Sequence, residues 1–421
     1  MKLNIDLHIH SPYAAAVSKN MSIPVLAREA KLKGLDLIGT GDILHPKWIE
    51  HCKENLKEEN GCYYFKEDTN KKTYFLLTTE VETKGRVHHL IFFKNFEVVE
   101  KFKKEIEKYS SDMNAYGGGR PRLSLLPDQL LDICVKYDVL IGPAHAFTPY
   151  FGIYANNRSI KEAYGKNFKQ VKFIELGLSA DTKSANIIPE LKDLMFFSFS
   201  DAHSPNSFRI GREFICANLN KPNYESIKEL LENKEKLLFN VGYNPKEGKY
   251  NKSACRECKQ IYSLEDAIKY NWKCAVCKGT IKKGVEDRCK EIARDQGNNE
   301  YKELKKRPEY KYLMPLAQVI QIALNKKQIQ DKEVVKIYEK MLKVDCEINL
   351  MLNTPKDTLE KIDSNIAKYI IAFREDLVVF RPGGAGHYGV PFICFSEEEK
   401  RKTEEEIKKE QEIKVFQKTL F

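Results

Sequence analysis

The chain has 421 residues, 42% of them hydrophobic, with 70 Lys and Arg against 60 Asp and Glu for a formal charge of +10. A chain of this length and apolar content closes the cores of about two to three domains, which excludes a disordered or fibrous protein. Apolar runs such as Leu194-Met-Phe-Phe197 fall far short of the roughly 20 residues of a membrane span. The start MKLNIDLHIH lacks the apolar centre of a signal peptide, so a cytoplasmic protein with no membrane partner is expected.

From residue 1 to about 240, short apolar runs alternate with helical stretches. LNIDLHIH, LDLIGTGD, YFLLTTEVE, RVHHLIFF, DVLIGPAH, VKFIELGL and LMFFSFSDAH read as strands, bounded by turn residues. IPVLAREAKLKG, EVVEKFKKEIEKYS and PDQLLDICVKY have helical periodicity, the first with Ser22 and Pro24 at its start and Gly34 at its stop. This alternation predicts an α/β fold with a parallel sheet or barrel. Composition shifts near residue 244: residues 245–313 carry 18 Lys and Arg against 11 Asp and Glu, +7 of the chain's +10. Beyond Pro315 lie the helical stretches LAQVIQIALN, VVKIYEKMLK and TLEKIDSNIAKYIIAF, then the glycine-rich Arg381-Pro-Gly-Gly-Ala-Gly-His387-Tyr388-Gly. That segment allows close backbone approach to a ligand or a tight turn between strands, and it contains no Walker or dinucleotide fingerprint. A Glu/Lys-rich solvated helix is expected from 396 onward. The predicted organisation is therefore 1–240, 241–313, 314–395 and a charged tail 396–421.

Histidine and cysteine separate along the chain. Eight of the nine His lie in the first 203 residues. In Asp6-Leu-His8-Ile-His10, strand alternation puts Asp6, His8 and His10 on one face, so both imidazoles can reach one ion. Asp42 follows a strand in Gly-Thr-Gly-Asp42-Ile-Leu-His45, Glu80 ends LLTTE, His145 ends Gly-Pro-Ala-His, and Ser-Asp201-Ala-His203 closes the series. In an α/β barrel the strand C-termini open on one face, which gathers such residues. Of His88 and His89, which face opposite ways, at most one joins. Each alone reads equally as a satisfied polar group, but six such strand ends point to a multinuclear metal centre. Imidazole and carboxylate donors suit zinc, manganese or iron, and a shared carboxylate suits hydrolysis at phosphorus by metal-activated water.

These residues, in this order, resemble the PHP (polymerase and histidinol phosphatase) superfamily over roughly residues 1 to 235. The resemblance implies a distorted, TIM-like α/β barrel with two or three divalent ions (Zn, Mn, Mg or Fe). It carries the ligands over to His8, His10, Glu80, His88, His145, Asp201 and His203. Two positions depart from the pattern: Ile43 follows Asp42 where a His is usual, and Ala14-Ala15-Ala16 stands where a further His is common. Asp42 and His45 are accordingly second-rank ligands or orienters.

Cys255-x2-Cys258 and Cys274-x2-Cys277 present four thiolates at the spacing of a structural zinc ribbon, while the remaining seven Cys are scattered singly. No disulfide framework is expected. Arg256, Lys273, Lys282, Lys283 and Arg288, with Tyr262, Tyr270 and Trp272 nearby, suit phosphate contact and base stacking. In the first half, Arg120 and Arg122 in Gly-Gly-Gly-Arg-Pro-Arg, and Tyr150 after His145, are candidate DNA contacts; a mobile loop and a packed aromatic turn explain them as well. The whole arrangement is similar to the endonuclease Q family. That resemblance implies a metal-dependent endodeoxyribonuclease of DNA repair, cutting double- or single-stranded DNA 5′ of a deaminated base (uracil, hypoxanthine, xanthine) or an abasic site. Gln417, Leu420 and Phe421 resemble the start of a sliding-clamp-binding peptide, or the frayed end of an amphipathic helix. Two alternatives remain open: a phosphoesterase acting on a small monoester, and a non-catalytic DNA-binding or helicase-associated scaffold.

Overall fold

The computed structural model describes residues 1–69 and 72–417, without the side chains of 411–417. It divides into two compact units: Met1–Gly177, Glu190–Gly242 and Lys305–Leu313 form the first, and Leu178–Pro189, Tyr243–Leu304 and the chain from Met314 onward form the second.

In the first unit, β1 (Lys2–Asp6), β2 (Leu37–Gly39), β3 (Leu56–Glu59), β4 (Cys62–Phe65), β5 (Tyr74–Thr83), β6 (Val87–Phe93) and β7 (Leu140–Pro143) precede β8 (Phe173–Glu175), β9 (Met195–Phe197), β10 (Phe214–Asn218) and β11 (Leu237–Gly242). The helix Ile23–Lys33 begins after Ser22 with a proline in its first turn. It stops at Gly34, whose φ of 96° lets its N–H reach Ala30 O. The β1–β2–β5 core is parallel, joined through crossovers. Only three residues separate β5 from β6, too few for a crossover, and the pair is antiparallel with Glu82 opposite His88 and Glu80 opposite Leu90. β6–β7, β1–β10 and β10–β11 are also antiparallel.

The expected parallel barrel is therefore corrected to a mixed sheet that curls without closing. β8 and β9, three residues each, form a separate parallel pair. Among the described residues, the segment after β7 bonds β8 through Ala146 N–H to Glu175 O at 2.7 Å, and the segment after β9 bridges the segment after β1 at Ile9 and Ala202. Strands this short run out before a ladder can form on either side. At Gly142 a Cβ would sit 2.6 Å from Phe173 O, so only glycine permits that approach. The space enclosed by the curled sheet is filled by Leu7, Leu37, Leu76, Phe92, Phe173, Phe197 and Phe199. Phe92 and Phe173 stack at 5.2 Å. Each such ring contributes about 1.5–3 kcal/mol by leaving water. This apolar filling fixes the strand ends above it, where the polar residues of the site collect.

In the second unit, β12 (Ser253–Cys255), β13 (Ile261–Tyr262) and β14 (Ile281–Lys282) form a small antiparallel sheet carrying the cysteines. β15 (Glu309–Tyr312) returns to the first unit and pairs in parallel with β11, although composition groups residues 305–313 with the basic segment. Helices from Leu316 to Arg374 follow, then a hairpin of β16 (Val378–Arg381) and β17 (Val390–Ile393), then the charged helix Glu397–Gln417. The glycine-rich segment is the connection of that hairpin. Among the described residues, no helix is long and apolar enough to cross a membrane.

Candidate metal centre

At the open end of the first unit the structure brings together two groups of three. His8, His10 and Asp201 form one, and Glu80, His88 and His145 form the other; within each group the ligand atoms lie within 4.8 Å of one another. Glu80 joins the groups. Its Oε1 lies 2.9 Å from both His88 Nδ1 and His145 Nε2 and 3.8 Å from His8 Nε2, and its Oε2 lies 3.4 Å from His10 Nε2. Asp201 Oδ1 stands 3.1 Å from His10 Nε2 and 3.6 Å from His8 Nε2.

A further row of carboxylates orients the imidazoles. His8 Nδ1 donates to Glu175, 2.9 Å from both oxygens, and the same carboxylate accepts the His145 N–H at 2.7 Å. His10 Nδ1 donates to Asp42 Oδ1 at 3.0 Å, while Asp42 Oδ2 accepts from Ser11 N–H at 2.6 Å. His88 Nε2 bonds Glu82 at 3.0 Å. Such partners fix the tautomer and aim of a ligating imidazole. With Nδ1 committed to Glu175, His8 presents its Nε2 lone pair, and that buried atom has no hydrogen-bond partner. A buried polar atom without a partner is costly, and this one faces Glu80 and Asp201. The donor set thus fits divalent cations.

The surrounding carboxylates favour protons on these imidazoles, in the place a divalent ion would take. Burial opposes a charged His10, but Asp42, then Asp201 and Glu80, outweigh it and hold the imidazole up at about 10. Burial likewise opposes charge on His8, and Glu175 and Asp201 raise it well above the usual imidazole range. Glu80 is held well below the carboxylate range because His88, His145 and His8 overcome its desolvation. Asp42, His145 and Asp201 have φ of 43°, 30° and 48°, left-handed backbone rare outside glycine. Strain at three such positions marks geometry imposed by the surrounding fold.

Other predicted residues are distributed unevenly. His203 packs at the rim, 4.6 Å from the His10 ring, with Nδ1 on Asp201 O. His45 joins neither group; it stacks on Tyr13 at 4.3 Å. His89 turns away, bonded to Tyr164 OH at 2.7 Å and Thr83 Oγ1 at 2.8 Å. Arg120 Nη1 reaches Glu80 Oε2 at 3.1 Å, whereas exposed Arg122 pairs with Asp112 at 2.8 Å. Gly119 beside Arg120 approaches Asp42 so closely that a Cβ would lie 2.9 Å from Oδ2. Tyr150 is exposed, at φ 79°, next to Phe151, whose ring lies 4.7 Å from His88. Glu175 was missed by sequence reasoning, though it ends β8, whereas Glu80, expected at a strand end, lies inside β5, which runs on to Thr83. Glu82, two residues beyond Glu80 and hence on the same face, was missed too.

In the second unit the four thiols converge: Cys255 Sγ lies 3.4 Å from Cys277 Sγ and Cys258 Sγ 3.5 Å from Cys274 Sγ, with Tyr262 OH 3.0 Å from Cys274 Sγ. Arg256 and Lys273 are exposed and Lys282 is half-buried. Lys283 and Arg288 both pair with Glu291, at 2.7 and 2.5 Å, and Lys283 Nζ sits 4.7 Å from the Trp272 ring. Leu420 and Phe421 of the clamp-like ending, and the side chain of Gln417, lie outside the described residues.

Fold and site together define a mixed α/β protein with two imidazole–carboxylate clusters sharing one glutamate, joined in the chain to a four-cysteine cluster. Residues 315–377 match the model of the MJ0043 C-terminal domain family. The uncharacterized protein MJ0043 of Methanocaldococcus jannaschii is 41% identical over 261 residues, covering 60% of this chain and 32% of that protein, so the match spans about a third of that relative. The crystal structure of the lesion-specific endonuclease PfuEndoQ from Pyrococcus furiosus superposes with a TM-score of 0.85 at 39% identity, over 93% of this chain and 96% of that one. A crystal structure of endonuclease Q with a 27-mer duplex bearing an abasic lesion at the active site superposes at 0.84 and 38% identity, over 94% of this chain and 98% of that one. The chain belongs to the endonuclease Q family.

Proposed function

We propose that the protein is a metal-dependent DNA repair endonuclease that hydrolyses the phosphodiester 5′ of deaminated bases (uracil, hypoxanthine, xanthine) or abasic sites. The observation that carries this reading is the pair of histidine–carboxylate groups sharing Glu80, in a chain that matches a lesion-specific endonuclease over nearly its whole length. His8, His10 and Asp201 would hold one divalent ion and Glu80, His88 and His145 a second, with His203 as an outer ligand at the rim. When bound, such ions supply Lewis acidity toward the phosphodiester and its attacking water. The chain's own contribution is orientation and charge. Glu175 and Asp42 keep the Nε2 atoms of His8 and His10 aimed inward, and Arg120 brings a guanidinium against Glu80 where an anionic phosphate would lie.

Four converging thiolates support a structural zinc ribbon in the second unit. Selection of damaged nucleotides follows from their low unstacking cost, which favours extrusion into a pocket. The test is a gel. Labelled duplexes carrying uracil, hypoxanthine, an abasic site or no lesion are incubated with the protein and Mg²⁺, Mn²⁺ or Zn²⁺, and the cut is mapped. A nick on the 5′ side of a lesion, with the intact duplex spared, is expected. Turnover of small monoesters without cleavage of any duplex would refute the proposal.

A further inference from the structure

The glycine-rich connection of the β16–β17 hairpin is built with more backbone constraint than a turn requires. It is pinned along its length to residues 246–252. Gly383 N–H donates to Lys246 O at 2.8 Å, Gly386 N–H to Lys249 O at 2.9 Å and Gly389 N–H to Glu247 O at 3.0 Å, while Lys252 N–H donates to Gly383 O at 3.1 Å. The two backbones lie so close that a Cβ at Gly383, Gly384 or Gly389 would stand 2.5, 2.8 or 2.1 Å from Gly248 O, Lys252 O or Lys246 O. Ala385 and Gly386 take left-handed φ of 48° and 91°. Glycine in such a loop costs chain entropy, and non-glycine φ above zero adds strain.

What this rigid loop presents is not core. Tyr388 is 72% exposed and Val390 43% exposed, and His387 is exposed between them and the loop's glycines. Beside them stand Lys246 and Lys249, neither of which has a carboxylate partner among the described residues. Lys249 Nζ instead lies 5.6 Å from the Tyr388 ring and 5.4 Å from the Tyr250 ring, within cation–π reach. Glu247, the acidic residue between the two lysines, points inward. Its Oε2 accepts from Gln318 Nε2 at 3.0 Å, and burial pushes its carboxyl up to about 7. Arg381 at the start of the connection is paired with Glu410 at 2.8 Å, so the positive charge left unpaired here is that of Lys246 and Lys249, beside a preplaced aromatic ring.

We infer that this loop and its basic flank in the second unit form a DNA-contacting surface, with Lys246 and Lys249 on phosphates and Tyr388 stacked on a base. Unpaired lysines beside an exposed ring match the chemistry of a nucleic-acid strand, in which anionic phosphates alternate with π-faces. The rigidity lowers the ordering cost of that contact. The inference rests on the endonuclease reading, because it names a further contact with the same substrate class.

The experiment uses the full chain and a fluorescein-labelled undamaged duplex, read by anisotropy across a salt series. Hydrolysis of bis(p-nitrophenyl) phosphate, which needs only the metal centre, is followed in parallel. Lys246→Ala with Lys249→Ala should reduce the slope of log affinity against log salt by about 1.8, two phosphate contacts at about 0.9 each. Tyr388→Ala should weaken binding about tenfold with the slope unchanged, and Tyr388→Phe should restore it. All variants should hydrolyse the small diester like the wild type. Variants that bind duplex with wild-type affinity and slope would overturn the inference while wild-type cleavage of lesion DNA left the endonuclease reading standing. A Tyr388→Phe variant as weak as Tyr388→Ala would overturn the stacking role. A wild-type protein that neither binds nor cuts any duplex would overturn both.

Discussion

Replacing Glu175 separates the positioning of the ligands from the ligands themselves. This carboxylate accepts two buried N–H groups, His8 Nδ1 at 2.9 Å and the His145 amide at 2.7 Å, so it ties an imidazole of one group to the strained backbone of the other. Glu175→Ala leaves both donors without an acceptor. At about 1–3 kcal/mol for each stranded buried donor, the cost is roughly 2–6 kcal/mol of stability. Glu175→Gln isolates the orienting role. Its carbonyl oxygen, placed at Oε2, can still accept the His145 amide and His8 Nδ1–H, while an NH₂ replaces the second oxygen, also 2.9 Å from His8 Nδ1. An NH₂ cannot accept and the amide carries no charge, so His8 Nδ1–H loses one of its two acceptors and the negative charge that keeps the proton on Nδ1, and Nε2 is held less firmly as a ligating lone pair. Metal affinity should then fall about 10–100-fold with the fold preserved. The assay is titration of the metal-free protein with Co²⁺ against a chromophoric chelator, with urea unfolding alongside. Thiolate-to-cobalt absorption from the four-cysteine cluster serves as an internal reference that should not move. A Gln variant that binds metal at the histidine site as tightly as the wild type, or an Ala variant as stable as the wild type, would refute the reasoning.

Asp201→Ala should abolish cutting of uracil- or hypoxanthine-containing duplex while duplex binding, followed by gel shift, persists; a fully active variant would remove Asp201 from the site. Cys274→Ser should release zinc, measured by elemental analysis, and lower the stability of the second unit, because the remaining thiolates no longer complete a tetrahedral set. His89 provides a pH test. Burial, then the charge of His88, pushes its imidazole down to about 3, against about 6.5 in the unfolded chain. The unfolded state therefore binds the extra proton first, and stability contributed by neutral His89 is present above about pH 6.5 and lost as pH falls toward 3, at roughly 1.4 kcal/mol per pH unit. Urea unfolding of His89→Gln should show a shallower loss between pH 6.5 and 5 than the wild type, and parallel curves would contradict the assignment. Gly119→Ala should impair metal binding, since the new methyl would press on both the Ala14 amide nitrogen and Asp42 Oδ2; unchanged metal affinity would show that the loop yields freely.

His8, His10, Glu80, His145 and Asp201 were legible because each carries a local signal, a polar residue in or just after a short apolar run, although Glu80 lies inside β5 and His8 and His10 just beyond β1. The two CxxC units were legible for the same reason, as a knuckle of four residues presents both of its sulfurs. Glu175 was not, because nothing local distinguishes a carboxylate that will face an imidazole 167 positions away from one that will face water. The choice of His88 over His89 lay in the antiparallel register of β5 and β6, which sets His88 against Glu82 and sends His89 to Tyr164. Of the two roles open to Asp42, second-rank ligand or orienter, the structure places it behind His10, holding Nδ1.

The alternation of apolar runs and the spacing of cysteines and histidines thus decide which elements form and which side chains stand at their ends, because helix and strand periods act over a few residues. Only the tertiary structure decides that the sheet stays open, with β8–β9 hydrogen-bonded separately, that residues 309–312 pair with β11, and that six candidate ligand side chains fall into two groups sharing Glu80. Those outcomes depend on strand length, pairing register and the filling of one shared core, which are set by contacts between residues far apart in the chain.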